Sequence, residues 1–516
     1  MRSRSILINL ILLVFCIKTY CQEQAYPLSI NISVNESVQK SFHSNGRLYV
    51  YLITNPNMEP RNQGVDGFSG RDILFAKNIS HWNSSDILSI TGTEDWDMWS
   101  KEVKCGFEII PEGTYFLQIL WDQNMDDFGI NAPGNIFSKK LELNLTSPRN
   151  VNISLSEVIE PPILLEHELL KLVVHQSDTI SKWQGNPVYE RAAVLLPSGY
   201  YKNKKKEYPI RYRILGGHGS LIRSVNSLLN DSTFFNWWIT DEAPQIINVF
   251  LDGEINGNIY HVDSDNIGPF GYSLVNEFIP FIEDLYRGTD TPITRFVDGC
   301  STGGWGSLAL QLFYPETFNG VFSYSPDPIT FENFLSLNIY ENDNIFINKY
   351  GYEIPLMRTS NGDTRVSFRH WIEFNNITSI SGLYTDSDDY FGIWSRLFSK
   401  KGSDGKPEKL FDPYTGIIDP NVAASWKRYD LMHYLLENWQ LLAPKLKGKV
   451  YIWAGTNDYV FSDRHVIQFR DMISTMKNPT LDAIIEIEPG ASHCEQYSNR
   501  RILEQISQKL NDINRE

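Results

Sequence analysis

The sequence predicts an α/β protein whose doubly wound sheet follows an all-β domain. Up to about residue 155, short alternating stretches rich in β-forming residues are separated by Gly, Asn and Pro turns. Beyond Pro161-Pro162, strand and helix patterns alternate, which is typical of a mostly parallel sheet covered by helices. With 516 residues, 42% of them hydrophobic, the chain is long enough for two cores.

The composition excludes several classes of partner. The net charge is -16, so the surface lacks the basic face that nucleic acids or anionic membranes require. The sequence contains neither a His-Glu-x-x-His motif nor paired Cys-x-x-Cys motifs. We therefore expect neither a metal nor a cofactor, no nucleic acid, and a small molecule or carbohydrate as the substrate.

The first 21 residues read as a signal peptide. Arg2 and Arg4 precede an apolar run over residues 6–17, which is too short to span a membrane. A lipoprotein anchor is the alternative, but the bulky Tyr20 before Cys21 disfavours lipid attachment there. We expect a secreted or periplasmic protein that is free of the membrane after cleavage.

Residues 22–160 are predicted to form a β-sandwich accessory domain. Alternating stretches at 46–53, 113–121, 141–145 and 151–155 supply its strands. No cluster of catalytic side chains occurs there. A carbohydrate-binding module has the same pattern and stays open as an alternative.

Residues 161–516 are predicted to form the catalytic domain. Its predicted strands lie at 189–197, 208–215, 246–251, 294–298, 449–454 and 483–487, and its clearest helices at 274–286 and 304–314. Residues 327–429 are polar and Gly-rich and break this rhythm, so we interpret them as an insertion.

The turn Gly299-Cys-Ser-Thr-Gly303 joins a predicted strand to a predicted helix. This is G-x-S-x-G in the context of a nucleophile elbow, where a sharp turn exposes the serine and glycines let the strand and helix pack behind it. An ordinary Gly-rich nucleotide-binding turn is the alternative, but no Gly-x-x-x-x-Gly-Lys occurs. The motif predicts Ser301 as a nucleophile.

The acid and base should follow the serine, each after a late strand. Asp458 follows the strand at 449–454, and His493 follows the strand at 483–487. The predicted roles are acid for Asp458 and general base for His493. Asp463 is the second choice of acid, although we expect it to cap a helix, and His465 in that helix should face solvent.

An oxyanion hole needs two backbone N–H groups. Thr302, the residue after the nucleophile, should supply one. The second should come from the glycine-rich loop after the strand at 208–215, where Gly217 and His218 are equal candidates.

The stretch from about residue 165 to the end resembles the esterase D-like and enterochelin-esterase-like group of the α/β-hydrolase superfamily. The matching pieces are Gly299-Cys-Ser-Thr-Gly-Gly-Trp305, Tyr324-Ser-Pro-Asp-Pro328, Asp412-Pro-Tyr-Thr-Gly416, Asn438-Trp439 and Gly455-Thr-Asn-Asp458. The resemblance implies an α/β-hydrolase fold and ester hydrolysis, but it does not fix the substrate.

Two cysteines flank the predicted dyad, Cys300 before Ser301 and Cys494 after His493. If the dyad residues are hydrogen-bonded, their neighbours should lie within disulfide range. The Cys-Ser…Asp…His-Cys pattern also resembles the signature of the tannase and feruloyl-esterase family, in which such a bond ties nucleophile to base. We predict a Cys300–Cys494 disulfide with Cys105 free; two buried thiols are the alternative.

These features predict a serine carboxylic-ester hydrolase acting on acetyl or aromatic acyl groups of carbohydrates. A non-catalytic glycan-binding protein and a serine peptidase of the same fold are the alternatives. We also expect the insertion at 327–429 to form a lid or wall above Ser301, because it follows the nucleophile unit directly.

Overall fold

The computed structural model describes residues 24–92, 94–217, 219–253 and 257–513. The predicted signal peptide and His218 lie outside these ranges. No helix within them is long and apolar enough to cross a membrane.

The N-terminal region is built from short strands. They are β1 Ala25–Tyr26, β2 Leu28–Val34, β3 Gly46–Ile53, β4 Ile73–Ile79, β5 Leu88–Ile90, β6 Asp97–Trp99, β7 Ile110–Pro111, β8 Gly113–Asp122, β9 Ile136–Ser138, β10 Leu141–Leu145 and β11 Arg149–Val158. Alternate side chains of β2 are buried, namely Leu28, Ile30 and Ile32, and they share a core with β3 and β8.

Most of these strands are connected in one hydrogen-bonded sheet. Nine of the described strands belong to this sheet: eight follow the path β5-β2-β11-β9-β8-β3-β4-β6, and β10 pairs with β8 beside it. The path is continuous because β9 pairs with both β11 and β8. Strands β2, β3 and β8 contribute to one hydrophobic core, and the N-terminal β-rich region that the sequence predicts is confirmed.

The remaining strands belong mainly to a second sheet. They are β12 Leu170–Ser177, β13 Val188–Leu195, β14 Ile210–Ile214, β15 Ile247–Asp252, β16 Asp263–Ser264, β17 Gly268–Pro269, β18 Arg295–Cys300, β19 Gly320–Tyr324, β20 Pro355–Arg358, β21 Thr364–Ser367, β22 Val450–Gly455 and β23 Ile484–Glu488.

The second sheet has the order β12-β13-β15-β14-β18-β19-β22-β23 among the described strands. The first three strands pair antiparallel, and from β15 to β23 every neighbour is parallel. This is the α/β-hydrolase sheet that the sequence predicts. Parallel strands place their carboxyl ends at one edge, which gathers the loops after β14, β18, β19, β22 and β23.

The described helices are α1 Asp178–Gln184, α2 Leu221–Asn230, α3 Ser232–Trp238, α4 Phe270–Ser273, α5 Ile279–Tyr286, α6 Thr302–Phe313, α7 Phe368–Thr378, α8 Tyr390–Phe398, α9 Pro420–Ser425, α10 Leu431–Glu437, α11 Trp439–Leu446, α12 Ser462–Thr475 and α13 Asn499–Ile513. Helix α6 packs on β14, β18 and β19. The interval at 327–429 is more ordered than its polar composition suggests, because it contains α7, α8, α9 and the β20–β21 hairpin.

Candidate active site

Ser301 occupies a sharp turn between β18 and α6. Its backbone has φ 58° and ψ -124°, a conformation that non-glycine residues rarely adopt. The flanking glycines make the turn possible. A Cβ on Gly299 would lie 2.3 Å from the backbone of Gly303, and a Cβ on Gly303 would lie 2.2 Å from the Ile214 carbonyl oxygen. The turn therefore has the geometry of a nucleophile elbow.

His493 and Asp458 meet at the carboxyl edge of the sheet. His493 Nδ1 lies 2.7 Å from Asp458 Oδ2. Burial alone would raise the pKa of Asp458, but the His493 charge and hydrogen bonds from His493, Ser462 and the Val460 N–H outweigh it, so the pKa lies below its ordinary value. Asp458 is thus held as a carboxylate facing the imidazole, whose ring also packs edge-on to Tyr459 at 5.0 Å.

The second-choice acid does not reach the imidazole. Asp463 pairs with Arg358 at 2.7 Å, within the first turn of α12, and it does not cap the helix as the sequence suggested. His465 is also placed differently from the prediction. It is fully buried and lines the same cavity as Ser301, and the helix that carries it packs against β22. Burial lowers the pKa of His465 to about 3, so its ring is neutral.

Ser301 and His493, which the sequence pairs as a dyad, share no hydrogen bond among the described residues. Within the described ranges, the Ser301 hydroxyl instead donates to Asp327 Oδ1, at 3.3 Å. The reason is a competing acceptor: Asp327 follows β19, the strand beside the nucleophile strand, and its own N–H bonds the Ser301 carbonyl at 3.2 Å. Ser301 and His493 nevertheless line one cavity.

Asp327 is a site residue that the sequence did not assign a role. Its Oδ2 accepts hydrogen bonds from the Thr302 hydroxyl at 3.1 Å and from Tyr260, whose oxygen in turn accepts from Trp394 at 2.6 Å. Burial raises the pKa of this carboxyl group. The hydrogen bonds from its hydroxyl partners and the charge of His493 lower it, but by less. A polar residue directly after a strand next to the elbow was the signal that could have identified it.

The two predicted sources of oxyanion donors lie beside the elbow. Thr302 is the first residue of α6. The loop after β14 approaches closely, since a Cβ on Gly216 would lie 2.6 Å from the Cys300 carbonyl oxygen. Gly217 has φ 59°, and His218 falls outside the described residues. The choice between these two as the second donor stays a prediction.

A disulfide joins the neighbours of the dyad. Cys300 and Cys494 are bonded with a Cα–Cα distance of 6.1 Å, and Cys105 is a free thiol. Potential ligand atoms of Cys300, His493 and Cys494 lie within 4.8 Å of one another. Because the sulfurs bond each other, they offer no thiolate to a metal.

An aromatic cavity opens above Ser301. Residues of the 327–429 interval form much of its wall, as the sequence predicts. They are Asp327, Pro328, Leu335, Leu356, Met357, Trp371, Tyr390, Phe391 and Trp394. Tyr459 and Val460 complete the wall beside His493, and among the described lining residues there is no Lys or Arg.

A model of the family described as "Putative esterase" matches residues 190–501, which is more than half of the chain. The chain belongs to this esterase family. The matched region spans the elbow, Asp458 and His493, and it leaves out the N-terminal sheet. A search of curated proteins finds no significant match.

Solved structures of esterases resemble the chain at low identity. A ferulic acid esterase is 15% identical with a TM-score of 0.39, over 66% of this chain and 98% of that one. An S-formylglutathione hydrolase from Staphylococcus aureus is 13% identical with a TM-score of 0.35, over 67% and 99%. One from Agrobacterium tumefaciens is 12% identical with a TM-score of 0.38, over 66% and 94%.

Proposed function

We propose that the chain is an exported serine esterase that hydrolyses carboxylic esters of carbohydrates carrying acetyl or aromatic acyl groups. Membership of an esterase family supports the reaction class. The observation that carries the proposal is the His493–Asp458 pair, 2.7 Å apart, in one cavity with a serine on a strained elbow. Export is inferred from the N-terminal sequence alone.

In the proposed reaction, Ser301 turns from Asp327 toward His493 and attacks the ester carbonyl carbon. His493 takes the serine proton and gives it to the departing alcohol oxygen, leaving an acyl group on Ser301. Water then attacks the acyl-enzyme by the same route and releases the acid. Asp458 holds the imidazole orientation and stabilises its charged form, while the Thr302 N–H and the loop after β14 face the oxyanion.

The wall of the cavity supports the substrate class. Trp371, Tyr390, Trp394 and Tyr459 offer flat apolar surfaces on which an aromatic acyl group or the apolar face of a sugar can stack. The absence of Lys and Arg from the described lining residues favours neutral esters over anionic ones.

Hydrolysis of p-nitrophenyl acetate tests the reaction class. We expect release of p-nitrophenol by the wild type and loss of almost all of it in Ser301→Ala, with an unchanged circular dichroism spectrum. A panel of acetylated and feruloylated glycans tests the substrate class. Glycan binding without hydrolysis in any assay would show a binding protein, and cleavage confined to peptides would show a peptidase.

A further inference from the structure

Asp327 carries a carboxylate whose two oxygens have different surroundings. Oδ2 is held by Tyr260 and Thr302, which belong to the protein scaffold. Oδ1 has a single hydrogen-bond partner among the described residues, the Ser301 hydroxyl. Asp327 is buried, yet it faces the cavity.

Catalysis by Ser301 removes that single partner. To donate to His493, the serine hydroxyl must turn away from Asp327 Oδ1. A buried carboxylate oxygen without a donor is unfavourable. A donor on the substrate would restore the lost hydrogen bond in the reacting complex, and only substrates with such a donor would gain from it.

We propose that Asp327 Oδ1 accepts a hydrogen bond from a hydroxyl of the substrate's alcohol, on the carbon adjacent to the one that bears the ester oxygen. This inference rests on the proposed function and names its alcohol: a vicinal diol, as in a sugar ring. Asp327 is then a specificity-determining residue. Its Oδ1 accepts a hydrogen bond from the Ser301 hydroxyl in the free protein and from the substrate hydroxyl during the reaction.

Strand order places Asp327 on the side of the leaving alcohol. In the sequence β14-β18-β19-β22-β23, the oxyanion loop follows β14 on one side of Ser301, whereas Asp327 and His493 follow β19 and β23 on the other. The alcohol oxygen must lie against His493, which protonates it. A hydroxyl one carbon away therefore lies on the same side as the Asp327 carboxylate.

The rest of this wall suits a sugar ring better than a charged alcohol. Asp327 lines the same cavity as Trp394, Tyr390 and Trp371, whose rings can stack on apolar C–H faces. Binding of a polyol needs an apolar surface for stacking and an acceptor for its hydroxyl groups. Aromatic side chains in the same cavity as a carboxyl acceptor provide both.

Three small acetates that differ at one position test the proposal. They are the monoacetate of trans-1,2-cyclohexanediol, cyclohexyl acetate, and the acetate of trans-2-methoxycyclohexanol. Each rate is divided by its rate of hydrolysis by hydroxide, which removes intrinsic reactivity. Because a hydrogen bond to a charged acceptor is a strong one, we expect kcat/KM for the diol ester to be about tenfold or more above cyclohexyl acetate. The methoxy ester has no hydrogen-bond donor, so its corrected kcat/KM should equal that of cyclohexyl acetate.

Asp327→Asn should reduce the diol preference to about threefold or less, because a neutral amide is a weaker acceptor. The matched control is Asp430→Asn, since Asp430 also accepts hydroxyl donors, from Thr330 and Tyr340, but does not line the cavity. That variant should keep the wild-type ratio, whatever it does to stability.

Equal wild-type rates for the three esters, or a preference retained in Asp327→Asn, would overturn the proposal while leaving the esterase itself established. The wild-type series decides the matter even if Asp327→Asn fails to fold. A wild type that hydrolyses neither these esters nor p-nitrophenyl acetate would overturn the proposed function and this inference together.

Discussion

At the scale of single residues, the charge on Asp458 is the most consequential feature beside His493. An asparagine there keeps the size but cannot hold the imidazole in the tautomer that accepts the serine proton. We therefore expect Asp458→Asn to lower kcat by about 10³–10⁴-fold with a small change in KM. Steady-state kinetics on p-nitrophenyl acetate measures this.

Asp463→Asn is the control for that substitution, because Asp463 lies five residues further along the chain, in the first turn of α12, and pairs with Arg358 and not with His493. We expect its kcat to stay within about threefold of wild type. An equal loss in both variants would mean that Asp458 acts by supporting the loop and not by orienting the base.

The residues that the sequence could identify are those fixed by local patterns. Ser301 is set by a pentapeptide between a strand and a helix, and His493 and Asp458 by chain order. The position of Asp327 shortly after a strand could mark it as a candidate, but its role depends on which strand neighbours β18 and on a side-chain direction that no local pattern encodes. His465 was misjudged for a related reason, since a helix pattern does not reveal which polar residue faces a cavity.

At the scale of elements, α7 connects the N-terminal sheet to the cavity. Arg47 and Tyr49 of β3 donate to the carbonyls of Ile377 and Thr378, at 3.0 and 2.7 Å. These carbonyls end α7, where backbone acceptors lack partners within the helix and a positive charge is favourable.

Other residues of α7 face in two directions. Phe374 packs on Trp99 and Phe68 of the N-terminal region, with ring centroids 5.0 and 5.6 Å apart, whereas Trp371 lines the cavity. The N-terminal sheet thus supports a wall of the cavity, a role that composition and strand pattern could not show because the contact joins segments some 300 residues apart.

This support predicts a measurable coupling. Tyr49→Phe removes one hydroxyl and leaves the buried Thr378 carbonyl short of a donor, which should cost about 1 kcal/mol of stability. We expect KM to rise several-fold on a bulky aromatic ester while kcat changes little, because Trp371 shifts and the dyad does not. Thermal unfolding and steady-state kinetics measure the two effects.

Tyr51→Phe is the matched control on the same strand. The Tyr51 hydroxyl is buried and has no hydrogen-bond partner among the described residues. Its removal should leave KM unchanged and stability unchanged or slightly higher. A KM effect of similar size in both variants would exclude a specific role for the contact with α7.

At the scale of the whole molecule, the Cys300–Cys494 bond closes a loop with a sequence separation of 194 residues. In the chain-entropy picture this stabilises the fold by up to about 5 kcal/mol. The bond also ties the elbow after β18 to the histidine loop after β23. We expect a mild reductant to lower activity at concentrations that leave the far-ultraviolet circular dichroism unchanged.

Cys494→Ala should reproduce that loss without reductant, whereas Cys105→Ala, which removes the free thiol, should not. Full activity in the reduced protein, verified by a count of three thiols after denaturation of the chain cleaved after Cys21, would show that the disulfide does not position the dyad.

Two buried carboxyl groups make the stability of the molecule depend on pH. Burial, opposed by hydrogen bonds, raises the pKa of Asp122 in β8 to about 7 and that of Glu190 in β13 to about 7. Between its ordinary pKa and 7, each group has lost its proton in the unfolded chain but keeps it in the native one. At these two sites the native state then binds more protons, so the contribution of each group to the free energy of unfolding falls as pH rises from about 4 to about 7.

The two groups lie in different sheets, so they report on the cooperativity of the whole chain. For Glu190 the difference between 4.5 and about 7 corresponds to roughly 3 kcal/mol. Glu190→Gln should therefore be more stable than wild type at pH 8, by up to that amount, and equal to it near pH 4. Asp122→Asn should behave in the same way.

If the two sheets unfold as one unit, because α7 couples them, each substitution should raise the midpoint temperature of the same single calorimetric transition. Two transitions, each shifted by one substitution only, would show that the N-terminal sheet unfolds independently. A stability difference that does not vary between pH 4 and pH 8 would contradict the assignment of buried neutral carboxyl groups.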